Sequence, residues 1–242
     1  MKRLKDRVVF VTGAGSGIGQ CVAVALAEEG ANLVLASRTE ARLEETARQI
    51  RALGSAVLFA STDVTDREAV DRLVRQALDR FGGIDMLVNN AGINTKKRGI
   101  ADMPLEVWDR VVDVNLTGAF NCVRAVLPRM QERQEGLIIN IASMAGKGAS
   151  VVGGAAYGAS KFGMVSMTHS INLEQGQNGI RACVICPGEV DTPILEHRPV
   201  PVPEARRRNI LRSEDIAAAV VYVALQAPRV VIQEIHILPR VR

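Results

Sequence analysis

A tyrosine and a lysine one helical turn apart are the side chains of this 242-residue sequence best suited to proton transfer. Tyr157 and Lys161 fall in a segment predicted to be helical, and their i,i+4 spacing places them on one face of that helix. A neighbouring ammonium group favours the phenolate and lowers the pKa of a tyrosine from its usual value of about 10. A tyrosine tuned in this way can act as the general acid/base in the interconversion of a carbonyl and an alcohol.

Few other side chains of the sequence can carry this chemistry, because it contains only two tyrosines and three histidines. Tyr222 lies in an apolar helical segment, residues 217–225, where core packing is expected. His169, His197 and His236 are not needed for the proton transfer, although His197 is a candidate contact in a loop over the site. Tyr157 is therefore the predicted acid/base.

A glycine-rich turn follows the first predicted strand and opens the first predicted helix. It reads Thr12-Gly13-Ala14-Gly15-Ser16-Gly17-Ile18-Gly19. The N-terminus of a helix offers free backbone N–H groups and a positive dipole end, which suit a pyrophosphate, and glycines let the backbone approach it closely. Glycine in a turn often serves geometry alone, but the strand–turn–helix context favours a dinucleotide site.

The end of the second predicted strand indicates which dinucleotide is bound. An acidic residue there favours NAD, whereas an arginine favours the 2′-phosphate of NADP. The strand ends at Ser37-Arg38-Thr39, and no carboxylate occurs before Glu40. Arg38, assisted by the Ser37 and Thr39 hydroxyls, therefore predicts NADP as the cofactor, with NAD as the alternative and an ordinary exposed arginine as the competing interpretation.

The elements that must position these residues alternate between strand and helix. The strands are continuous apolar runs, which is typical of a parallel sheet covered on both faces. Right-handed crossovers then predict an α/β fold of the Rossmann type, a doubly wound, seven-stranded parallel sheet flanked by helices on both faces. The predicted strands are 7–12, 32–36, 56–60, 84–89, 136–141, 180–186 and 231–238. The predicted helices are 18–30, 40–53, 66–81, 105–134, 155–177 and 213–227.

Composition argues against several other classes of protein. The net charge is only +4, and the short clusters at 96–98 and 206–208 lack interleaved aromatic residues, so no nucleic-acid partner is expected. No apolar run is long enough for a membrane span or a signal peptide, which predicts a cytoplasmic protein without a membrane partner. Cys183 and Cys186 point to opposite faces of a strand, so no metal site is expected.

Further polar residues fall at the carboxyl ends of the predicted strands, where ligands bind in such folds. Ser143 follows the fifth strand and Asn89-Asn90-Ala91-Gly92 ends the fourth. With these residues in place, the chain resembles the short-chain dehydrogenase/reductase family of the single-domain type. The resemblance runs from Thr12 to Thr192 and rests on the order and spacing of its matching elements: the glycine turn 12–19, residues 89–92, Asn115, Ser143, Tyr157, Lys161, Pro187, Gly188 and Thr192.

This resemblance implies a role for each catalytic residue. Tyr157 would exchange the proton, while Lys161 would lower its pKa and bind the nicotinamide ribose. Ser143 would polarise the substrate carbonyl, and Asn115 would organise a water in a proton relay near Lys161. Hydride transfer itself is the chemistry of the cofactor.

The resemblance also implies a set of cofactor-binding residues. The turn residues would line the pyrophosphate, and Asp63 and Val64 would meet the adenine. Asn90 would meet the adenosine-side ribose, and Pro187, Val190 and Thr192 would border the nicotinamide. In chain order these residues are Gly13, Ser16, Gly17, Ile18, Gly19, Ser37, Arg38, Asp63, Val64, Asn90, Ala91, Gly92, Lys161, Pro187, Gly188, Val190 and Thr192. Many NADP-linked relatives carry a basic residue where Ser16 stands, so the preference for NADP depends on Arg38.

The expected activity is an NAD(P)-dependent oxidoreductase that transfers a hydride between the nicotinamide and a small secondary alcohol or ketone. Reduction of a 3-oxoacyl group on acyl carrier protein is the alternative. A regulator that binds NADP without turnover would be expected to have a damaged catalytic set, and a sugar-nucleotide epimerase would be longer with different glycine spacing.

Substrate choice is expected to depend on loops 94–103, 144–154 and 189–212 of a single domain, 1–242, with 189–212 as a lid. Charges at 96–98 and at Arg198 are interpreted as solvated loop surface, with attraction of a small carboxylate as the alternative. By resemblance, the protein is expected to form a homodimer or homotetramer through its two long helices.

Overall fold

The computed structural model describes residues 2–240, which form a seven-stranded sheet in which every neighbouring pair is parallel. The strand order β3-β2-β1-β4-β5-β6-β7 is that of a doubly wound Rossmann-type sheet, so the predicted fold class is confirmed. The strands are β1 Val8–Thr12, β2 Asn32–Ser37, β3 Val57–Ser61, β4 Met86–Asn89, β5 Gly136–Ile141, β6 Ile180–Pro187 and β7 Glu234–Ile237.

Helices connect the strands on both faces of the sheet. Asp66 caps the third of them, accepting a hydrogen bond from the Ala69 backbone N–H at 3.0 Å. The helices are α1 Gly17–Glu28, α2 Glu40–Ala52, α3 Arg67–Phe81, α4 Leu105–Val112, α5 Gly118–Arg133, α6 Ala155–Gln175, α7 Glu204–Arg207 and α8 Ser213–Ala224.

The long helix predicted over 105–134 is interrupted, which corrects the prediction. A π-helical turn, Asp113–Thr117, separates α4 from α5. The apolar periodicity on either side is helical, so the single additional residue of a π-helical turn leaves little trace in the sequence pattern. This turn carries Asn115 into the interior, where the side chain has no exposed surface.

Alternating side chains of each strand enter two different cores, because successive residues of a strand face opposite sides of the sheet. Val9 and Val11 pack in the core beneath α1 and α8, while Phe10 packs with residues of α3 and α5 on the other side. Phe10 is fully buried, which contributes about 1.5–3 kcal/mol to folding. The sheet is therefore covered on both faces, as its continuous apolar strands predict.

The cysteine pair on β6 follows the same alternation. Cys183 lies in the α1/α8 core and Cys186 in a separate cluster with α6 residues, so the prediction that the thiols diverge is confirmed. All four cysteines are free. Burial raises the pKa of the Cys122 thiol and of the Cys183 thiol to about 12, so both remain protonated at neutral pH.

Two predictions near the C-terminus are wrong. The last strand covers 234–237 rather than 231–238. Tyr222 does not pack in the core but is 57% exposed, because α8 buries the face that carries Ile216, Val220 and Val223 instead.

Every helix within residues 2–240 is too short or too polar to cross a bilayer.

Candidate active site

A cleft with a volume of about 870 Å³ lies at the carboxyl ends of β1, β4, β5 and β6. The order of strands reverses between β1 and β4, which is where a doubly wound sheet binds its ligand. Nearly all of the predicted site residues line this cleft. They are Gly13, Ser16, Gly17, Ile18, Ser37, Arg38, Asp63, Val64, Asn90, Ala91, Gly92, Ser143, Tyr157, Lys161, Pro187, Gly188, Val190 and Thr192.

The glycine turn presents an uncapped helix N-terminus to the cleft. Helix α1 begins at Gly17, and the Ser16 side chain makes no hydrogen bond to the first turn, which leaves those N–H groups for a ligand. Gly13 and Gly17 adopt φ of +65° and +54°, which favour glycine. The loop after β6 closes over the turn, since a Cβ on Gly17 would lie 3.5 Å from Thr192.

Gly19 is one of two predicted site residues that do not line the cleft, and it allows close packing, while its role at the cofactor stays a prediction. A Cβ at this position would lie 2.3 Å from the Gly13 carbonyl oxygen and 2.4 Å from Asn90 Nδ2. Glycine here lets helix α1 press directly against the turn that it follows.

Asn90 connects β4 to the glycine turn. Its Nδ2 donates to the Thr12 carbonyl at 2.9 Å and to the Gly13 carbonyl at 3.4 Å. In the other direction, Thr12 Oγ1 accepts from the backbone N–H groups of Asn90 and Ala91, each at 3.0 Å. The side chain of Asn90 therefore fixes the shape of the turn, while the role predicted for it at a ribose stays a prediction.

Two arginines, Arg38 and Arg42, line the end of the cleft beyond β2, and both are exposed. Within residues 2–240, no carboxylate lies within 4.0 Å of either guanidinium, so neither arginine forms an ion pair. Sequence reasoning found Arg38 and missed Arg42, whose spacing of four residues from Arg38 was the available signal. The glycine turn packs against this corner, because a Cβ on Gly15 would lie 3.0 Å from Arg42 Cβ and 3.0 Å from Ser37 Oγ.

Asp63 lies on the next strand end and is held in place by its neighbours. Its Oδ2 accepts from Arg110 at 2.8 Å and its Oδ1 from the backbone and hydroxyl of Thr65 at 3.0 and 2.8 Å. Burial alone would raise the pKa of Asp63, but these hydrogen bonds and the charge of Arg110 outweigh it and lower the pKa to about 2. Asp63 is therefore a fixed acceptor across the neutral range.

The predicted catalytic side chains meet where β5 and α6 face each other. Ser143 follows β5, and its Oγ accepts from the Ala145 backbone N–H at 3.1 Å. Lys161 Nζ donates to the Ile141 carbonyl at 2.8 Å and lies 5.7 Å from the centre of the Tyr157 ring. Lys161 is 3% exposed, and burial lowers its pKa to about 8.

The pKa of Tyr157 differs from the prediction that Lys161 would lower it. Burial raises the pKa above the ordinary value, while the Ser143 hydroxyl and the charge of Arg98 act in the lowering direction without outweighing burial. The Lys161 ammonium donates to the Ile141 carbonyl rather than to the phenol oxygen. In the protein alone, Tyr157 is therefore a protonated phenol, which is the form that donates a proton to a carbonyl.

Asn115 is the second predicted site residue that does not line the cleft, since it lies behind it. Its Oδ1 accepts from the Ile93 backbone N–H at 2.7 Å, and its Nδ2 donates to the Ile93 carbonyl at 3.0 Å and to Ser160 Oγ at 3.1 Å. Gly92 separates it from the cleft, because a Cβ there would lie 3.4 Å from Asn115 Oδ1 and 3.6 Å from Lys161 Nζ. Asn115 thus joins the loop after β4 to helix α6.

The loop charges at the far end of the cleft are not all solvated, which corrects the prediction for Arg98. Arg98 is 7% exposed and lines the cleft, whereas Lys96 and Lys97 are exposed. Arg198 is half-buried and pairs with Glu189, with Nη1 and Oε1 2.6 Å apart. No feature of the sequence distinguishes Arg98 from its neighbours, because its burial arises from loops that fold over it.

Comparison with known proteins identifies the family of the chain. Residues 7–200 match the family model of the short chain dehydrogenases, so the chain belongs to this family. An uncharacterised oxidoreductase of Staphylococcus epidermidis is 37% identical over 239 residues, which cover 99% of this chain and all of the relative. The chain is thus an oxidoreductase of the short-chain dehydrogenase/reductase family.

Solved structures of the same family superpose over the whole fold. An alcohol dehydrogenase from the archaeon Thermococcus sibiricus, complexed with 5-hydroxy-NADP, has a TM-score of 0.87 and 27% identity, covering 98% of this chain and 97% of its own. A metagenomic short-chain oxidoreductase in complex with NADP has a TM-score of 0.85 and 32% identity, covering 99% and 100%.

Proposed function

We propose that this protein is an NADP(H)-dependent oxidoreductase that interconverts a small ketone and its secondary alcohol. The observation that carries the proposal is the meeting of Ser143, Tyr157 and Lys161 at one end of a cleft whose other end holds a glycine turn and two arginines. Such a cleft suits a dinucleotide that reaches from a 2′-phosphate to the acid/base. Retention of all four predicted catalytic residues favours turnover over a role limited to NADP binding.

The hydrogen-bond donors that line the cleft match the phosphate groups of a nicotinamide dinucleotide. The uncapped N-terminus of α1 suits the pyrophosphate, and the two arginines suit a phosphate on the adenosine ribose. When bound, the nicotinamide supplies or accepts the hydride. NADP in one related structure and 5-hydroxy-NADP in another support the choice of coenzyme.

Each catalytic residue then has a task in carbonyl reduction. The Ser143 hydroxyl donates a hydrogen bond to the substrate oxygen, and Tyr157 donates the proton that converts the developing alkoxide into an alcohol. Lys161, protonated below its pKa of about 8, places a positive charge 5.7 Å from the centre of the Tyr157 ring. Asn115 acts as a positioning residue, because it fixes the loop after β4 against α6. The segment 189–212 acts as a lid of the single domain.

The two tyrosines of the chain provide a matched test. Tyr157→Phe is expected to lower kcat for NADPH-linked reduction of a ketone panel by about 10²–10⁴-fold, the usual contribution of a general acid. Binding of NADPH, followed by its fluorescence, is expected to stay nearly unchanged. Tyr222→Phe, on an exposed face of α8, is the control and should leave both quantities as in the native protein.

Two outcomes of that panel decide between functions. Substantial turnover by Tyr157→Phe, or no Tyr157-dependent oxidation of NADPH with any carbonyl, contradicts the proposal. A 3-oxoacyl thioester is included in the panel, and a strong preference for it favours the alternative of 3-oxoacyl reduction.

We also propose a homodimer or homotetramer built through α4, α5 and α6. Trp108, Phe120 and Phe162 on these helices are 40%, 49% and 46% exposed. Large apolar side chains exposed together often mark an interface between subunits. Size-exclusion chromatography with light scattering measures the mass of the assembly. The double variant Phe120→Asp/Phe162→Asp is expected to reduce this mass toward that of the monomer.

A further inference from the structure

Arg98 is a buried cation whose hydrogen-bond partners among residues 2–240 are all uncharged. Its Nε donates to the Thr95 carbonyl at 2.6 Å and its Nη2 to the His197 carbonyl at 2.7 Å, while Nη1 donates to the Val152 carbonyl. Within residues 2–240, its guanidinium forms no ion pair with a carboxylate, although carboxylates pair with Arg110 and Arg198 around the same cleft. Arg98 therefore keeps a full positive charge without a counter-charge.

A second guanidinium lies near the first. Burial, together with the neighbouring charge of Arg198, lowers the pKa of Arg98. Arg198 contacts Glu189, but that carboxylate is shared with Arg206, whose Nη2 lies 2.8 Å from Glu189 Oε2. Arg198 Nη1 lies near Glu189 Oε1, but the two atoms are not aligned for a hydrogen bond. One carboxylate thus pairs with two arginines, Arg198 and Arg206, and leaves no negative charge for Arg98.

A positive charge in a buried site is unfavourable unless an anion compensates it. Three carbonyl dipoles compensate Arg98 in part, and a guanidinium has five N–H donors, so two are not used by these bonds. Planar carboxylates match such donors in geometry and charge. Arg98 lines the same cleft as the proposed acid/base, and its charge acts on the Tyr157 phenol. An anion bound there would lie close to the reacting carbonyl.

We propose that Arg98, together with Arg198, binds a carboxylate of the substrate, so that the preferred substrates are short oxo- and hydroxycarboxylates rather than neutral ketones and alcohols. This inference rests on the proposed function and names its substrate class. Arg98 also joins two loops over the cleft, because it donates to His197 of the lid and to Val152 of the loop after β5. A carboxylate bound to Arg98 would therefore contact the residue that holds these loops together.

Matched pairs that differ only in charge test the proposal. The native protein is assayed with NADPH on acetoacetate against methyl acetoacetate, and on 4-oxopentanoate against its methyl ester. The acid is expected to exceed its ester in kcat/KM by at least about 10-fold, since the charge-assisted contact is lost in the ester. Equal use of both members, or preference for the ester, overturns the inference.

Variants then assign the preference to residues. Arg98→Met is expected to lower kcat/KM for the acids by about 10–100-fold while the esters change far less. Lys97→Met, in the same loop but exposed, is the control and should change neither. Because Arg98→Met also removes bonds between loops, Arg198→Met provides a second test in which those bonds remain. An acid-to-ester ratio unchanged in both arginine variants overturns the assignment.

The two proposals fail in different ways. If Tyr157-dependent oxidation of NADPH occurs with the esters as readily as with the acids, the proposed reaction stands and the substrate class is wrong. If no member of either pair supports such oxidation, the proposed reaction itself fails.

Discussion

Lys161 donates from Nζ to the backbone carbonyl of Ile141 at 2.8 Å, two residues before Ser143 in the chain. The bond ties helix α6 to the end of β5 and holds a cation inside the protein, where it is 3% exposed. A buried ammonium lowers folding stability in proportion to the shift of its pKa. The proposed catalytic position of Lys161 therefore lowers the stability of the fold.

Replacing this lysine is expected to stabilise the fold. Because the folded-state pKa of Lys161 is about 8, the unfolded chain binds more protons than the folded chain above that pH, and the native free energy of unfolding rises from there to about pH 10. Lys161→Met removes this dependence. At pH 7 the gain, reduced by the lost hydrogen bond, is expected to be about 1–3 kcal/mol. Urea unfolding at a series of pH values measures it.

The stability gain of Lys161→Met should shrink as the pH rises through 8 toward 10. Lys5→Met, at an exposed position, is the control and should show no such pH-dependent difference from the native protein. A gain that is constant with pH would show that repacking, not the buried charge, accounts for it. Loss of NADPH-linked activity in Lys161→Met is expected throughout.

A second prediction concerns the contact between helix α1 and the glycine turn. Gly19→Ala is expected to lower both the free energy of unfolding, by about 1–3 kcal/mol, and the affinity for NADPH, because its Cβ would meet backbone. The helix propensity of alanine, worth up to about 1 kcal/mol, acts in the opposite direction. Gly176→Ala, outside the cleft, is the control, since nothing lies within 4 Å of its Cβ position. Unfolding curves and fluorescence titration measure the two effects, and a stabilised Gly19→Ala contradicts the packing argument.

A third prediction concerns the choice of coenzyme. Arg38→Ser is expected to lower kcat/KM for NADPH by about 10-fold or more while that for NADH changes little, because only NADPH carries the 2′-phosphate. Adding Arg42→Ser should lower the NADPH value further. Arg48→Ser, on an exposed position of α2 outside the cleft, is the control. A native preference for NADH, or an Arg38 variant that behaves as the native protein, contradicts the argument.

The sequence predicts the order of elements and most of the cleft, because both follow from local patterns. Apolar runs predict the strands, and the carboxyl ends of parallel strands must share one edge, which brings Ser143 near the glycine turn without further information. Tyr157 and Lys161 share a helix, so their proximity is also local. In both cases the backbone geometry of the sheet or helix determines which residues are neighbours, so the sequence pattern is sufficient to predict them.

Features set by long-range packing could not be predicted in the same way. The burial of Arg98 depends on the Val152 and His197 carbonyls, which come from loops 54 and 99 residues away in the chain. The exposure of Tyr222 depends on which side of α8 meets α1, and an apolar segment does not indicate that choice. The rise in the pKa of Tyr157 comes from burial, which no spacing of charged residues reveals.

The Thr12 hydroxyl accepts two backbone N–H groups from residues 78 and 79 positions further along the chain. These bonds close a long loop, and closures of this kind make folding slow because chain entropy is lost before the contacts form. The seam between β1 and β4 is also the floor of the cleft. A dinucleotide bound across it would stabilise the folded state, so the free energy of unfolding would rise with the concentration of the cofactor.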